Sequence, residues 1–337
     1  MIQFKSAPFE GSCTSDAFNR TQGCLDWSAP LQNTGVEGVR LSAARFVESN
    51  GDTSVYLALT NDQGELRIAR RIFDGTNTNF VYEEYDSTAT VSGRPDILSY
   101  NGRLHVVWRT ANNEVWTMTK ISGGAWTTPS VISDMSGLAI TTGISPTLAY
   151  APSAGLHMLR TRSNDTLDLL LFNDATGTWG DADPKYDISD GLYETVHEAQ
   201  MVWFQGFTHE EEGPGHWQIV FRNSGKVWMA ATVGSSQDRK IFWGSSRSDA
   251  PLELLYMPDH DNIVGVYGNQ GSINFYPFAD GVVDAEIKDN NDFISMSNSI
   301  CFGYREGLPG DSRPCGRLGS VNTLVSHQYY TGSCDGY

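Results

Sequence analysis

The feature that most restricts this chain is a strand–turn–strand unit written five times, at residues 55–69, 104–118, 156–170, 217–230 and 263–276. Each copy alternates apolar and polar residues, is rich in β-branched and aromatic side chains, and breaks at Asn, Asp or Gly, as in Asn61-Asp62-Gln63-Gly64. That pattern predicts a β-hairpin. A short, largely apolar segment precedes each copy, at 39–46, 95–100, 146–150, 199–204 and 251–256. Such segments read as strands covered on both faces. Behind three hairpins a Trp marks a further outer strand, at 124–129, 177–181 and 241–244. Four antiparallel strands in about 50 residues make a propeller blade. No segment sustains the 3.6-residue stripe of an amphipathic helix, so the class expected is all-β.

A chain of 337 residues at about 50 per repeat leaves room for six blades. A seven-bladed ring with one degenerate unit and a pair of β-sandwiches are the alternatives. The sixth blade has to be shared between the chain ends, with inner strands from 299–304 and 322–328 and an outer strand from 24–30, which makes residues 1–337 one β-propeller domain. The cysteines fit that arrangement. Cys13, Cys24, Cys301, Cys315 and Cys334 flank a stretch with none, which suggests disulfides stapling the two ends. Five is odd, so one thiol is left over. Met1-Ile2-Gln3-Phe4-Lys5-Ser6 lacks the apolar stretch of a secretory signal. With the cysteines, the expectation is a mature secreted or extracellular chain.

The formal charge is −17, the wrong sign for a phosphate-backbone partner. No apolar run reaches the roughly 18 residues of a spanning helix. Neither nucleic-acid binding nor membrane insertion is expected. What recurs around the hairpin turns is a polar and aromatic set. Arg109 and Arg222 end equivalent second strands, and Arg162 falls one position later. Trp116 and Trp228 are equivalent on third strands, with Arg67 in the matching place. Glu65 and Glu114 align just after the turn, and Trp126 belongs to an outer segment. A guanidinium donates paired hydrogen bonds to sugar hydroxyls, a carboxylate accepts them, and an indole stacks on the C–H face of a pyranose. Packing between blades is the competing role for each Trp.

Residues 102–116, Gly-Arg-Leu-His-Val-Val-Trp-Arg-Thr-Ala-Asn-Asn-Glu-Val-Trp, followed by Gly123-Gly124-Ala125-Trp126, resemble the β-propeller lectins: the six-bladed fungal fucose-binding lectins and related bacterial ones. The resemblance implies a multivalent carbohydrate-binding protein whose partners are glycans or glycoproteins. It also implies sugar clefts between adjacent blades, lined by Arg, Glu and Trp or Tyr. The fifth copy departs from that pattern, with Gly268 and Asn274 in the Arg and Trp positions.

Propellers also carry enzymes, so the fold does not decide function. A glycosidase, a sialidase-like enzyme or a polysaccharide lyase with a central pocket is the first alternative. Its residues would be His209, Glu210, Glu211 and His216 in the insertion Thr208-His-Glu-Glu-Glu-Gly-Pro-Gly-His-Trp217, suited to acid–base work or a metal. Gly213, Pro214 and Gly215 forbid a helical metal motif there. A protein-recognition propeller of a toxin or adhesin is the second alternative. No cofactor is expected; Asp259, Asp261 and Asn262 have calcium-type oxygens, but such residues also simply shape turns. His105 and His157, equivalent strand residues, read as structural.

Overall fold

The alternating segments pair as their patterns require, and among the described residues all regular secondary structure is β. The structure, a computed structural model, describes the backbone of residues 2–6, 9–15, 20–25, 32–33, 36–38, 40–73, 78–83, 85, 90–134, 136–151, 155–162, 167–181, 196–204, 216–223, 226–231, 239–246, 252–257, 262–269, 272–279, 282–283, 287–288, 300–303 and 322–326. It describes side chains from 36 to 180 within these, except 72–73, 78–79 and the last strand's 181, and at 199–203, 217, 219 and 221.

Six antiparallel sheets follow one another, and in the first five the strand order is the chain order. Sheet one comprises Arg40–Val47, Thr53–Thr60, Leu66–Phe73 and Thr78–Tyr82. Sheet two comprises Asp96–Tyr100, Arg103–Arg109, Val115–Ile121 and Ser130–Val131. Sheet three comprises Thr147–Ala151, Gly155–Thr161, Leu167–Asn173 and Thr178–Asp181. Sheet four comprises Val196–Phe204, His216–Asn223, Lys226–Ala231 and Arg239–Ser246. Sheet five comprises Leu252–Met257, Asn262–Asn269, Ser272–Ala279 and Val282–Val283, with Ile287–Lys288 also paired to its third strand.

The sixth sheet draws on both ends of the chain, in the order Ile300–Gly303, Asn322–Ser326, Ile2–Ser6, Gln32–Asn33. Its first two strands are those anticipated from the sequence. Its N-terminal contribution is not. Ile2–Ser6 supplies the third strand, whereas Cys24 lies in Arg20–Leu25, which forms a separate hairpin with Phe9–Ser15; residues 26–30 lie outside the described residues. The first strand of each sheet neighbours that of the next, and Ile300–Gly303 also neighbours Arg40–Val47.

The core lies between sheets. One cluster joins Tyr56, Leu66 and Ile68 of sheet one to Leu104, Val106, Trp108 and Met118 of sheet two. Another joins Val107 and Val115 of sheet two to Leu148, Leu156, Met158 and Leu170 of sheet three. A third joins Leu159, Leu167 and Leu169 of sheet three to Ala199, Trp217, Ile219 and Phe221 of sheet four. Alternate residues of one strand thus serve two different interfaces, as the period of two dictates.

A polar row, buried at Ser42, Asp96, Thr147 and Gln200, crosses these apolar walls. The pairings Ser42↔Ala58, Asp96↔Val107, Thr147↔Leu159, Gln200↔Val220 and Glu253↔Val266 put these five polar residues at one register position of successive first strands. Ser42 Oγ donates to Asp96 Oδ1 at 2.5 Å. Asp96 Oδ2 accepts the Leu148 N–H at 2.6 Å, and Thr147 Oγ1 donates to the Ala199 carbonyl at 3.0 Å. Each bond ties one sheet to the next, so groups whose burial alone would be costly are satisfied across the junction.

Candidate functional site

The turns joining second to third strands lie at one end of the sheets, and their geometry is set by local chemistry. In residues 61–65 the Gly64 N–H bonds the Asn61 carbonyl and the Asn61 N–H bonds the Glu65 carbonyl, both at 3.0 Å. Residues 110–114 repeat this through Asn113→Thr110 at 3.0 Å and Thr110→Glu114 at 2.9 Å. Both are three-residue hairpin loops with one left-handed residue, Gly64 at φ +78° and Asn113 at +64°. The segment leading to the next sheet crosses the same end, with the Val91 N–H on the Gly64 carbonyl and the Thr142 N–H on the Asn113 carbonyl. Turns and linkers together line that end of the inter-sheet junctions.

Strand register confirms the equivalences read from the sequence. Thr60, Arg109, Thr161, Arg222 and Gly268 pair with Leu66, Val115, Leu167, Val227 and Ile273. One residue further along the third strands stand Arg67, Trp116, Asp168, Trp228 and Asn274. The side chains of Arg222, Trp228 and His216 lie outside the described residues, as do the whole of His209, Glu210, Glu211, Cys315 and Cys334 and the side chains of Cys13, Cys24 and Cys301.

The candidates do not gather in one cleft. Arg109 shares its face with Val107 and Val115 and turns toward sheet three. Trp116 shares its face with Met118 and packs toward sheet one, where its indole N–H donates to Glu114 Oε2 at 3.2 Å. Its ring lies 6.4 Å from that of Trp108, across the strand pair. Arg67 lies on the face of Leu59 and Ala69, away from sheet two. Its Nη2 donates to Glu65 Oε2 at 2.7 Å, with both side chains about half exposed at 49% and 53%. Trp126 is buried, packed edge-on to Tyr56 at 6.3 Å. Its N–H reaches Glu83 Oε2 at 3.2 Å, and the Lys120 ammonium sits 5.7 Å from its ring centroid. It works as a wedge between sheets one and two.

The junction between sheets two and three collects guanidinium groups. From sheet two, Arg109 donates through Nε to the Ser92 carbonyl at 3.1 Å and through Nη1 to the Gly143 carbonyl at 2.8 Å and Asn113 Oδ1 at 3.0 Å. Burial, and secondarily the charge of Arg40, hold its pKa below the ordinary arginine value. From sheet three, Arg160 and Arg162 converge on Asp168. Arg160 Nε and Nη2 reach Oδ2 at 3.2 and 3.1 Å, and Arg162 Nη2 reaches Oδ1 at 2.9 Å. Asp168 is 1% exposed, and Arg160 also reaches the Thr141 carbonyl at 3.3 Å. Arg160 and Asp168 were not singled out from the sequence. The available signal was one aspartate inside the apolar run Leu167-Asp-Leu-Leu-Leu171. Among the described residues no cluster of three or more His, Cys, Asp or Glu could hold a metal ion.

Compared with solved structures, the chain aligns over most of its length with propeller lectins. SapL1 lectin in complex with alpha methyl fucoside matches at a TM-score of 0.55 and 13% identity, over 79% of this chain and 85% of that one. The fold is the six-bladed β-propeller. The Aleuria aurantia lectin, described as a six-bladed β-propeller with a novel fucose recognition mode, matches at 0.50 and 11%, over 74% and 77%. The BP39L lectin from Burkholderia pseudomallei matches at 0.50 and 13%, over 81% and 76%. No family model and no curated protein matches the sequence.

Proposed function

We propose that this propeller is a multivalent carbohydrate-binding lectin whose sugar sites are the clefts at the turn-bearing end of its sheets. The observation that carries the reading is the repetition of one motif on successive blades. Glu65 holds the donor of Arg67, and Glu114 holds the donor of Trp116, each carboxylate fixing the side chain two residues ahead on the same strand edge. Fixed donors, acceptors and an aromatic ring at a solvent-facing rim are the ingredients of saccharide recognition. Among the similar structures, one lectin is a complex with a methyl fucoside and another has a fucose recognition mode, which supports a 6-deoxyhexose as the first sugar to try. A secreted chain with disulfides near its two ends belongs to the same reading.

The test is calorimetry with methyl α-L-fucoside after a glycan-array screen. More than one equivalent site per chain is expected, and Arg67→Ala should lower the number of sites without lowering thermal stability. Absence of binding to any glycan, or one site accompanied by glycoside turnover, would overturn the proposal.

A further inference from the structure

We propose that the junction between the first and second blades, at its turn-bearing end, binds the acetamido group of a 2-acetamido-2-deoxy sugar. This inference rests on the lectin reading and adds the class of sugar at one of its sites.

Two neighbouring cross-strand pairs at the end of the second blade's hairpin build the patch. Trp108 pairs with Trp116, and the ladder runs one step further, with the Thr110 N–H on the Glu114 carbonyl at 2.9 Å. Residues two apart on a strand share a face, so Trp108 and Thr110 lie beside Trp116 and Glu114. That face meets the first blade. Leu66 and Ile68 of the first blade, with Val91 of the linker, belong to the same apolar cluster as Trp108, and Trp116 and Tyr85 pack against it. The Tyr85 hydroxyl is taken up by the Leu66 carbonyl.

The polar atoms of this patch are not all paired within the protein. Trp108 is 0% exposed and Thr110 7%, yet Trp108 Nε1 and Thr110 Oγ1 have no hydrogen-bond partner among the described residues. Buried donors in that state are uncommon, because each forfeits the bond it had with water. Glu114 is half-buried. Its Oε2 accepts from the Trp116 indole N–H at 3.2 Å, and among the described residues its other oxygen accepts nothing. Arg70 and Lys120, which share this junction nearer its other end, are matched there to Glu83 at 3.2 and 2.9 Å.

Among the five hairpins only the second combines these groups. Leu59, Arg160, Phe221 and Tyr267 stand at the register position of Trp108 in the others. The fourth comes nearest, pairing Phe221 with Trp228, an aromatic pair without the second indole N–H.

A secondary amide meets these demands together. Its carbonyl has two lone pairs, one for the Trp108 N–H and one for the Thr110 hydroxyl, and its N–H donates to Glu114. Its plane lies on the Trp116 ring, and its methyl covers the Leu66 and Val91 side chains. A hydroxyl in its place would bring no methyl to those side chains, and an ammonium would bring no acceptor to the two donors. A site that holds polar groups in wait of a partner discriminates strongly against analogues that leave them unpaired.

The experiment compares methyl N-acetyl-β-glucosaminide, methyl β-glucosaminide, methyl β-glucoside and methyl α-L-fucoside by calorimetry on the full chain. The acetamido sugar should bind about tenfold more tightly than the glucoside, the scale of one well-made hydrogen bond. A glucoside that binds equally, or an amine that binds as tightly as the amide, would overturn the assignment. Thr110→Val removes the hydroxyl at nearly constant volume. It should melt at or above the wild-type temperature, because the hydroxyl it removes is unpaired, and should lose about tenfold in affinity for the acetamido sugar. Unchanged affinity, or a clearly lower melting temperature, would overturn the role given to that hydroxyl. Trp108→Phe, the residue already present in the fourth blade, should erase most of the preference for the acetamido sugar over the glucoside; a preference that survives would overturn the role of the indole N–H. If fucoside binds while acetamido sugar and glucoside are equal, this inference fails and the lectin reading stands. If no sugar binds at all, the lectin reading itself falls.

Discussion

Asp96, on the first strand of the second blade, accepts the backbone N–H of Leu148 on the first strand of the third blade at 2.6 Å, while its other oxygen accepts from Ser42 of the first blade. One carboxyl group thus spans three consecutive blades. It is buried, and burial raises its pKa above the usual carboxylate range, although Arg94, Ser42 and the N–H groups of Leu148 and Ile97 pull the other way.

Replacing Asp96 with Ala should destabilise the fold by about 3 kcal/mol, because the Leu148 N–H and the Ser42 hydroxyl lose their acceptor in a dry site. The pH dependence has a definite sign. A group whose pKa is raised on folding contributes stability that is complete below its unfolded pKa and is lost as pH rises through the folded one. The stability difference between wild type and Asp96→Asn should therefore shrink as pH climbs out of the ordinary carboxylate range. Thermal melts from pH 4 to 8 read this directly, and a difference that grows with pH would refute it.

His105 responds with the opposite sign. It is 2% exposed, with its ring 5.1 Å from Phe172 and 6.1 Å from Tyr100. Burial, helped by the nearby charge of Arg103, lowers its pKa to about 4. Because the folded value lies below the unfolded one, its contribution is present above about pH 6.5 and is lost as the pH falls toward 4. His105→Phe should flatten this part of the acid limb, by up to about 3 kcal/mol for a shift of that size. Equilibrium urea melts at several pH values test it; an unchanged acid limb would mean that other groups govern it.

Among the described glycines, Gly93 leaves the least room for a side chain. Its φ is +105°, and a Cβ there would overlap Ser145 Oγ. Gly93→Ala should cost about 2 to 3 kcal/mol from strain and overlap combined. Pairing it with Ser145→Gly should return the steric part and leave the conformational part. Full recovery in the double mutant would mean that the backbone angle costs nothing.

The exposed Glu65–Arg67 pair and the buried Trp126 should separate binding from stability. Breaking the ion pair should change stability by less than about 0.5 kcal/mol, whereas Trp126→Ala should cost about 3 to 5 kcal/mol. In chemical denaturation, a large loss from Glu65→Gln would show that pair to be structural.

The sixth sheet makes a prediction about the ends of the chain. Ile2–Ser6 pairs with Asn322–Ser326 over five residues, from Ile2↔Ser326 to Ser6↔Asn322. Deleting residues 1–6 should leave that edge unpaired and lower the melting temperature. An unchanged thermal melt would count against a sixth sheet shared by the two termini.

The hairpins were legible because strand periodicity and Asn/Gly turn chemistry are local. Asn101-Gly102, with φ of +48° and +70°, forms the two-residue turn that this dipeptide favours. The row of equivalent turn residues was legible for the same reason. What stayed hidden was nonlocal. Asp96 sits unremarked in the largely apolar strand 95–100, until its alignment with Ser42, Thr147, Gln200 and Glu253 exposes a polar level running through apolar strands. The segment 124–129 looked like an outer strand. Trp126 instead makes one bridge to Lys120 before the edge resumes at Ser130 and Val131, because its ring is drawn into the space beside Tyr56. The N-terminal share of the sixth sheet went to the wrong segment because a Trp in 24–30 resembled the outer-strand signature, whereas pairing partners hundreds of residues away leave no local mark.

Strand alternation sends Arg109 toward the blade that follows and Trp116 toward the blade that precedes. No single repeat therefore owns a junction; each junction is co-authored by two neighbours. Copying one repeat elsewhere would transplant half of each, and changing one repeat would alter two junctions at once. The polar lining can accordingly vary from junction to junction around the molecule while the scaffold beneath keeps its shape.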